Sequence, residues 1–125
     1  KNAMLECIAS AIENSKEQIY SANKVDITNA TGVLSAPMID RLTLIDGRIA
    51  TMVEGVRQVE KLPDPIGEVT DSWQTKNKLD FKKVRVPLGT IGVIYESRPN
   101  VTIDVAALCL KSGNCVVLRG GKECT

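Results

Sequence analysis

Two short apolar runs constrain this chain more than any other feature in it. They cover residues 90–95 and 115–119, and each is apolar without strict alternation. Between them lie a polar turn, Glu96-Ser97-Arg98-Pro99-Asn100, and a helical pattern from Val101 to Lys111. Ser112-Gly113-Asn114 then stops the helix. Strand, helix, strand in this order predicts one βαβ unit, whose parallel strands are covered on both faces. Ligands of open parallel sheets sit beyond the carboxyl ends of the strands. Those ends carry Glu96, Ser97, Arg98 and Asn100 after the first run and Arg119 and Lys122 after the second. They are the first candidate binding residues.

The rest of the chain must cover that unit. Residues 1–24 place Met4, Leu5, Ile8, Ala11, Ile12 and Ile19 at helical spacing and predict one amphipathic helix. Asn23 and Asn29 flank an expected polar bend, and Gly32 is a break. Ser35 before Pro37 predicts a capped short helix through Met38, Ile39 and Leu42. Asp46 is the expected N-cap of a third helix, whose stripe is Ile49, Met52, Val53, Val56 and Val59. Pro63-Asp64-Pro65 ends it. That Met and aliphatic stripe reads as core or subunit interface. Val69 and Trp73, then Leu79, Phe81, Val84 and Val86, suggest a hairpin turning near Asn77, which tolerates left-handed backbone. Its lysines suit protection of an exposed edge. Pro87 separates it from the first parallel strand. The organisation expected is a helical region over 1–66, a bridging hairpin over 67–87, and the βαβ start of a nucleotide-binding domain over 88–125.

Composition narrows the chemistry. There is no histidine, which removes the commonest general base and the usual zinc ligand, and no metal site is expected. Only four side chains are aromatic, which argues against a stacking surface for nucleic acid. No transmembrane run or signal peptide is visible. The four cysteines, Cys7, Cys109, Cys115 and Cys124, form no C-x-x-C pair and read as free thiols in a reducing compartment, with Cys109 and Cys115 packed in apolar surfaces. Residues 1–75 carry a net charge of −4 and residues 76–125 a net charge of +5. A phosphate-bearing ligand suits the basic half, and so does a solvated basic hairpin. With no initiator Met, and with its end just after a strand, the chain reads as a piece of a longer protein.

Common phosphate motifs do not fit. Gly121-Lys122 is followed by Glu123, Val116 stands where a Walker A loop needs Gly, and no G-x-G-x-x-G occurs. Two readings of the Glu96–Asn100 turn remain. Arg98 and free amides at a helix start favour an anion; alternatively Ser97 caps the helix and Arg98 pairs with Glu96. Arg119-Gly120-Gly121-Lys122 lets a ligand approach backbone beside two cations, or is a plain loop.

Longer stretches carry a resemblance. Val84-Arg85-Val86-Pro87-Leu88-Gly89, Tyr95-Glu96-Ser97-Arg98-Pro99-Asn100-Val101-Thr102, Ala106 to Asn114, and Leu118-Arg119-Gly120-Gly121 resemble the gamma-glutamyl phosphate reductase family of the aldehyde dehydrogenase superfamily. Arg41-Leu42, Gly55-Val56-Arg57-Gln58-Val59 and Leu62 to Val69 are similar to its N-terminal third. The resemblance implies an α/β fold: N-terminal helices, a hairpin used in oligomerisation, and the first βαβ unit of an incomplete cofactor domain. It implies NADPH-dependent conversion of L-glutamyl 5-phosphate to glutamate 5-semialdehyde in proline biosynthesis, in the cytoplasm, by a homo-oligomer with a glutamate 5-kinase as a further partner. No nucleic acid or membrane partner is implied. By the resemblance, Glu96, Ser97, Arg119, Gly120, Gly121 and Lys122 bind cofactor, and Arg98 and Asn100 serve substrate and oxyanion. The family's nucleophilic Cys lies downstream of the matched part, so no catalytic residue is expected here and the chain alone should be inactive. Two alternatives are a self-associating, non-catalytic module and the reductase half of a fused pyrroline-5-carboxylate synthase.

Overall fold

A computed structural model describes residues 1–123. The elements are α1 (Asn2–Asn14), α2 (Lys16–Ala30), α3 (Ala36–Leu42), α4 (Asp46–Lys61), β1 (Val69–Gln74), β2 (Asp80–Val84), β3 (Thr90–Ile94), α5 (Asn100–Lys111) and β4 (Cys115–Arg119). The mixed α/β architecture agrees with the sequence, but four helices rather than three precede the hairpin. The single helix expected over 1–24 is two, parted at Ser15. The bend expected between Asn23 and Asn29 is helical. Asn23 is buried, and it is a staple: its Nδ2 donates to Leu42 O and its Oδ1 accepts from Leu44 N, both at 2.8 Å. That pair fixes α2 against the end of α3. Gly32 is the break expected, with φ +84°. Ser35 does precede α3, but its side chain makes no capping bond. Asp46 is the first residue of α4 rather than its cap, which is Ile45. The Asp46 carboxylate instead accepts from Tyr20 Oη and pairs with Lys16.

The core forms where α1, α4 and α5 meet. Leu5, Ala9 and Ile12 face Ile49, Val53 and Val56, with Ala107 closing the cluster. These are the positions that 3.6-residue periodicity places on one stripe. Lys111, at the end of α5, is only 5% exposed. Its Nζ donates to Asn2 Oδ1 at 2.7 Å and to Glu60 O at 2.8 Å, so one ammonium ties three helices together.

β1 and β2 form an antiparallel ribbon with Trp73 opposite Phe81. The two rings stack with centroids 5.5 Å apart, and both are exposed. The turn lies where expected, but Lys78, not Asn77, takes the left-handed conformation, at φ +61°. Thr75 O accepts from Lys78 N and Thr75 Oγ1 from Leu79 N, which closes the turn.

β3 and β4 are parallel, with Ile91 opposite Val116 and Ile94 opposite Arg119, and α5 crosses between them as the βαβ reading required. Burial on both faces is not seen. Ile91, Val93, Val116 and Leu118 are half-buried, whereas Ile94 and Val117 on the other face are 77% and 62% exposed. The runs are apolar on both sides, but these residues cover only one side. Cys115 is for the same reason exposed rather than packed; Cys7 is exposed, Cys109 is buried, and all three are free. Cys124 lies outside the described residues.

Helix α5 stops at Gly113, whose φ is +70°. Asn114 N donates to Cys109 O at 2.8 Å and Gly113 N to Leu110 O at 3.2 Å, a glycine-terminated helix end. Asn114 Oδ1 also accepts from Gly89 N at 3.0 Å, which sets the register of β4 beside β3.

Candidate functional site

Both candidate turns leave the same end of the parallel pair. Tyr95 N donates to Arg119 O at 3.1 Å, extending the ladder one step past β3. There the chain reverses through Ser97, which is 2% exposed and has φ +46°. A non-glycine residue in that region is held by its surroundings. The holding partner is Glu123: its Oε1 accepts from Ser97 N at 2.6 Å and from Ser97 Oγ at 3.1 Å. The two turns are therefore bolted to each other.

This overturns the capping role for Ser97. Pro99 is the N-cap of α5 and no side chain caps that helix. The serine's donors are directed across the site instead, because Glu123 offers a carboxylate that sequence spacing could not bring there. The Glu123 carboxyl is held below the ordinary glutamate range. Its own backbone N–H contributes most; the two Ser97 donors add to it and partial desolvation opposes it. The Arg98–Glu96 pair is also absent among the described residues.

Two clefts flank the bolt. The first, about 630 Å³, is lined by Glu96, Arg119, Gly120, Gly121 and Lys122, with Tyr95 and Glu123 at its walls. Gly121 lies under the Glu123 carboxylate, where a Cβ would collide with both oxygens. Among the described residues neither Arg119 nor Lys122 has an ion-pair partner. The two cations can take a phosphate group, with the Glu96 and Glu123 carboxylates also in the lining and Glu123 already held by Ser97.

The second cleft, about 380 Å³, holds Arg98 and Asn100. It opens between α5 and the α3–α4 pair, so Arg41, Arg48, Thr51 and Asp104 line it too. Arg98 and Arg119 thus leave one end of the sheet but serve adjacent hollows. Asn100 Nδ2 donates to Asp104 Oδ2 at 3.0 Å. Tyr95 Oη and Thr102 Oγ1 share a hydrogen bond that clamps the end of β3 to α5. Of the residues proposed from sequence, Glu96 and the Arg119–Lys122 turn line the first cleft and Arg98 and Asn100 the second. Glu123, Arg41 and Asp104 are not among them, and tertiary packing brings these three to the clefts; the sequence signal for them is Arg41-Leu42 among the family-like stretches.

No described cysteine sits at either cleft. Cys115 begins β4, at the opposite end of the strand from Arg119, roughly 13 Å away by strand rise. Cys7 is on α1, and Cys109 is buried in α5. Among the described residues no His/Cys/Asp/Glu group could hold a metal ion, and no helix is long and apolar enough to cross a membrane.

No family model matches the chain. Known proteins do. It is 53% identical over 124 residues to a gamma-glutamyl phosphate reductase of Clostridium kluyveri, covering 98% of this chain and 30% of that protein. The reductase of Carboxydothermus hydrogenoformans is 56% identical over the same coverage. Among solved structures, the gamma-glutamyl phosphate reductase of Thermotoga maritima superposes with a TM-score of 0.92 at 43% identity, over 98% of this chain and 30% of that one. The Saccharomyces cerevisiae reductase gives 0.92 at 35% identity, over 98% and 31%. Over nearly its whole length the chain is a homologue of the gamma-glutamyl phosphate reductases, and it spans about 30% of the length of the curated relatives it matches.

Proposed function

We propose that the chain is part of an NADPH-dependent reductase that converts L-glutamyl 5-phosphate to L-glutamate 5-semialdehyde and phosphate, a step of proline biosynthesis in the cytoplasm. The observation that carries this reading is the pair of cationic turns at one end of the β3–β4 sheet, joined through Ser97 and Glu123, in a homologue of those reductases.

The first cleft is the nucleotide side. Gly120 carries no side chain to bar a pyrophosphate, and Arg119 and Lys122, without ion-pair partners among the described residues, would meet the extra phosphate that distinguishes NADPH from NADH. When bound, the cofactor supplies hydride to the acyl carbon. Glu96 and Ser97 shape the wall between the two clefts. Arg98 and Asn100 face the acyl phosphate: the guanidinium is a planar fork for its oxygens, and the Asn100 amide is a donor toward the carbonyl oxygen as negative charge develops there. The nucleophilic thiol belongs to another part of the parent protein, so the 125 residues alone do not turn over. A glutamate 5-kinase supplies the acyl phosphate. The exposed Trp73–Phe81 ribbon reads as a contact between subunits of the parent.

The test is an assay of the complete parent protein for NADPH oxidation that requires glutamyl phosphate, or for the reverse, phosphate-dependent reduction of NADP by glutamate semialdehyde. Activity in either direction is expected. A pure, folded parent inactive in both directions would remove the reading.

A further inference from the structure

The second cleft carries charges that its own residues do not neutralise. Of its three arginines, Arg48 is committed: it donates to Thr43 O at 2.7 Å and pairs with Asp40 at 3.1 Å, pinning the α3–α4 link. Arg41 and Arg98 have no ion-pair partner among the described residues. Asp104, on α5 and across from Arg41 on α3, has none either; among the described residues its carboxylate accepts from the neutral Asn100 amide. Gly55 lies opposite Asp104 Oδ1 and offers no side chain, and a Cβ there would stand 3.8 Å from that oxygen. Two guanidiniums and one carboxylate, none with an ion-pair partner among the described residues, therefore share about 380 Å³, a volume in the range of small-molecule sites.

We propose that this cleft binds the α-amino-acid end of the substrate, with Arg41 and Arg98 taking its carboxylate and acyl-phosphate oxygens and Asp104 taking its α-ammonium. The proposal rests on the reductase reading and specifies how that site selects glutamyl compounds. The charge pattern decides between ligand classes. A simple anion such as inorganic phosphate would satisfy the arginines but face an uncompensated Asp104. A dicarboxylate without an amine has the same fault. A ligand carrying carboxylate and ammonium on one carbon satisfies both signs, and each group left unpaired weakens binding. In this arrangement α3 and α4 supply substrate specificity, while the turn before α5 handles the reacting end.

The experiment is an NMR titration of the ¹⁵N-labelled 125-residue chain with L-glutamate, glutarate and inorganic phosphate. L-Glutamate is expected to give saturable shifts at Thr51, Asn100 and the Arg41 and Arg98 side-chain N–H groups. Glutarate, which lacks only the amine, is expected to bind at least fivefold more weakly, and phosphate more weakly still. Arg41→Gln should weaken L-glutamate about tenfold. Asp104→Asn should abolish the preference for L-glutamate over glutarate while leaving glutarate affinity within about twofold. The amide spectrum of each variant checks that it is folded. Equal affinity for glutamate and glutarate in the unmodified chain, tighter binding of phosphate, or shifts confined to another surface would each overturn the proposal. Reductase activity of the parent without a glutamate response here removes only the head-group assignment. A glutamate response with an inactive parent removes only the reaction.

Discussion

Replacing Lys111 by Met should loosen the joint that holds the site in place. The Lys111 ammonium sits at the end of α5 opposite the Arg98 turn and reaches both the start of α1 and the end of α4. Glu60 O, one of its acceptors, is among the last carbonyls of α4, which have no partner inside their own helix. A hydrogen bond to a charged group contributes roughly 1.5–3 kcal/mol, and a buried acceptor left alone costs a similar amount. Asn2 is exposed, so water replaces its bond; the Glu60 carbonyl is the main loss. Removing a buried ammonium also removes its desolvation, which offsets part of the cost. Met fills the volume of the lysine stem, so cavity formation adds little. The balance is a destabilisation of about 2 kcal/mol, or roughly 8 °C in Tm for a chain of this size. Urea and thermal unfolding of the 125-residue chain, followed by circular dichroism, would measure it. Lys61→Met, at the exposed last residue of α4 next to Glu60, is the control and should stay within about 0.5 kcal/mol. If the two variants unfold alike, Lys111 is not the tie described. If Lys111→Met is more stable than the parent chain, desolvation outweighs both bonds.

Leu5→Ala removes a fully buried side chain from the α1–α4 interface and should cost about 2–4 kcal/mol in the same unfolding assay. Gly113→Ala places a Cβ 3.3 Å from Pro87 Cγ at a left-handed φ, and a loss of about 1–2 kcal/mol is expected, with Asn at that position tolerated better than Ala. The Ser97–Glu123 bolt should depend on acid. Because the Glu123 pKa is lowered in the folded chain, its contribution is complete above the pKa of the unfolded chain and is lost as pH falls through the folded value, below the ordinary glutamate range. The Ser97 amide resonance should titrate there and Glu123→Gln should abolish the titration; a Ser97 amide insensitive to acid in the unmodified chain would contradict the bond.

What sequence alone could say depended on how local each cause was. The α5 stop at Gly113-Asn114, the end of α4 before Pro63 and the βαβ order are dictated by residues within a turn of each other, and they stand in the structure as expected. The break at Ser15 has no Gly or Pro to announce it, so the apolar spacing ran on as one helix. Asn23 looked like a bend because its polar side chain favours turns; in the fold its amide is spent on Leu42 and Leu44, neighbours that only tertiary packing supplies. The same holds for Ser97, where a local cap lost to a carboxylate from Glu123. Burial of the strands was read from side chains on both faces, although these residues cover only one. The second cleft was the least visible part, since Arg41, Arg98 and Asp104 come from separate segments of the chain.

The proposed assignment of the Arg119–Lys122 turn to the nucleotide is tested most directly by comparing NADPH with NADH in the complete parent protein, before and after Arg119→Ala with Lys122→Ala. Each lost contact to a phosphate is expected to contribute about 1.4 kcal/mol or more, a factor of ten in kcat/KM. The double variant should therefore lose at least tenfold of its preference for NADPH, while the KM for glutamyl phosphate changes little. An unchanged NADPH-to-NADH ratio, or an equal rise in both KM values, would place the nucleotide phosphate elsewhere.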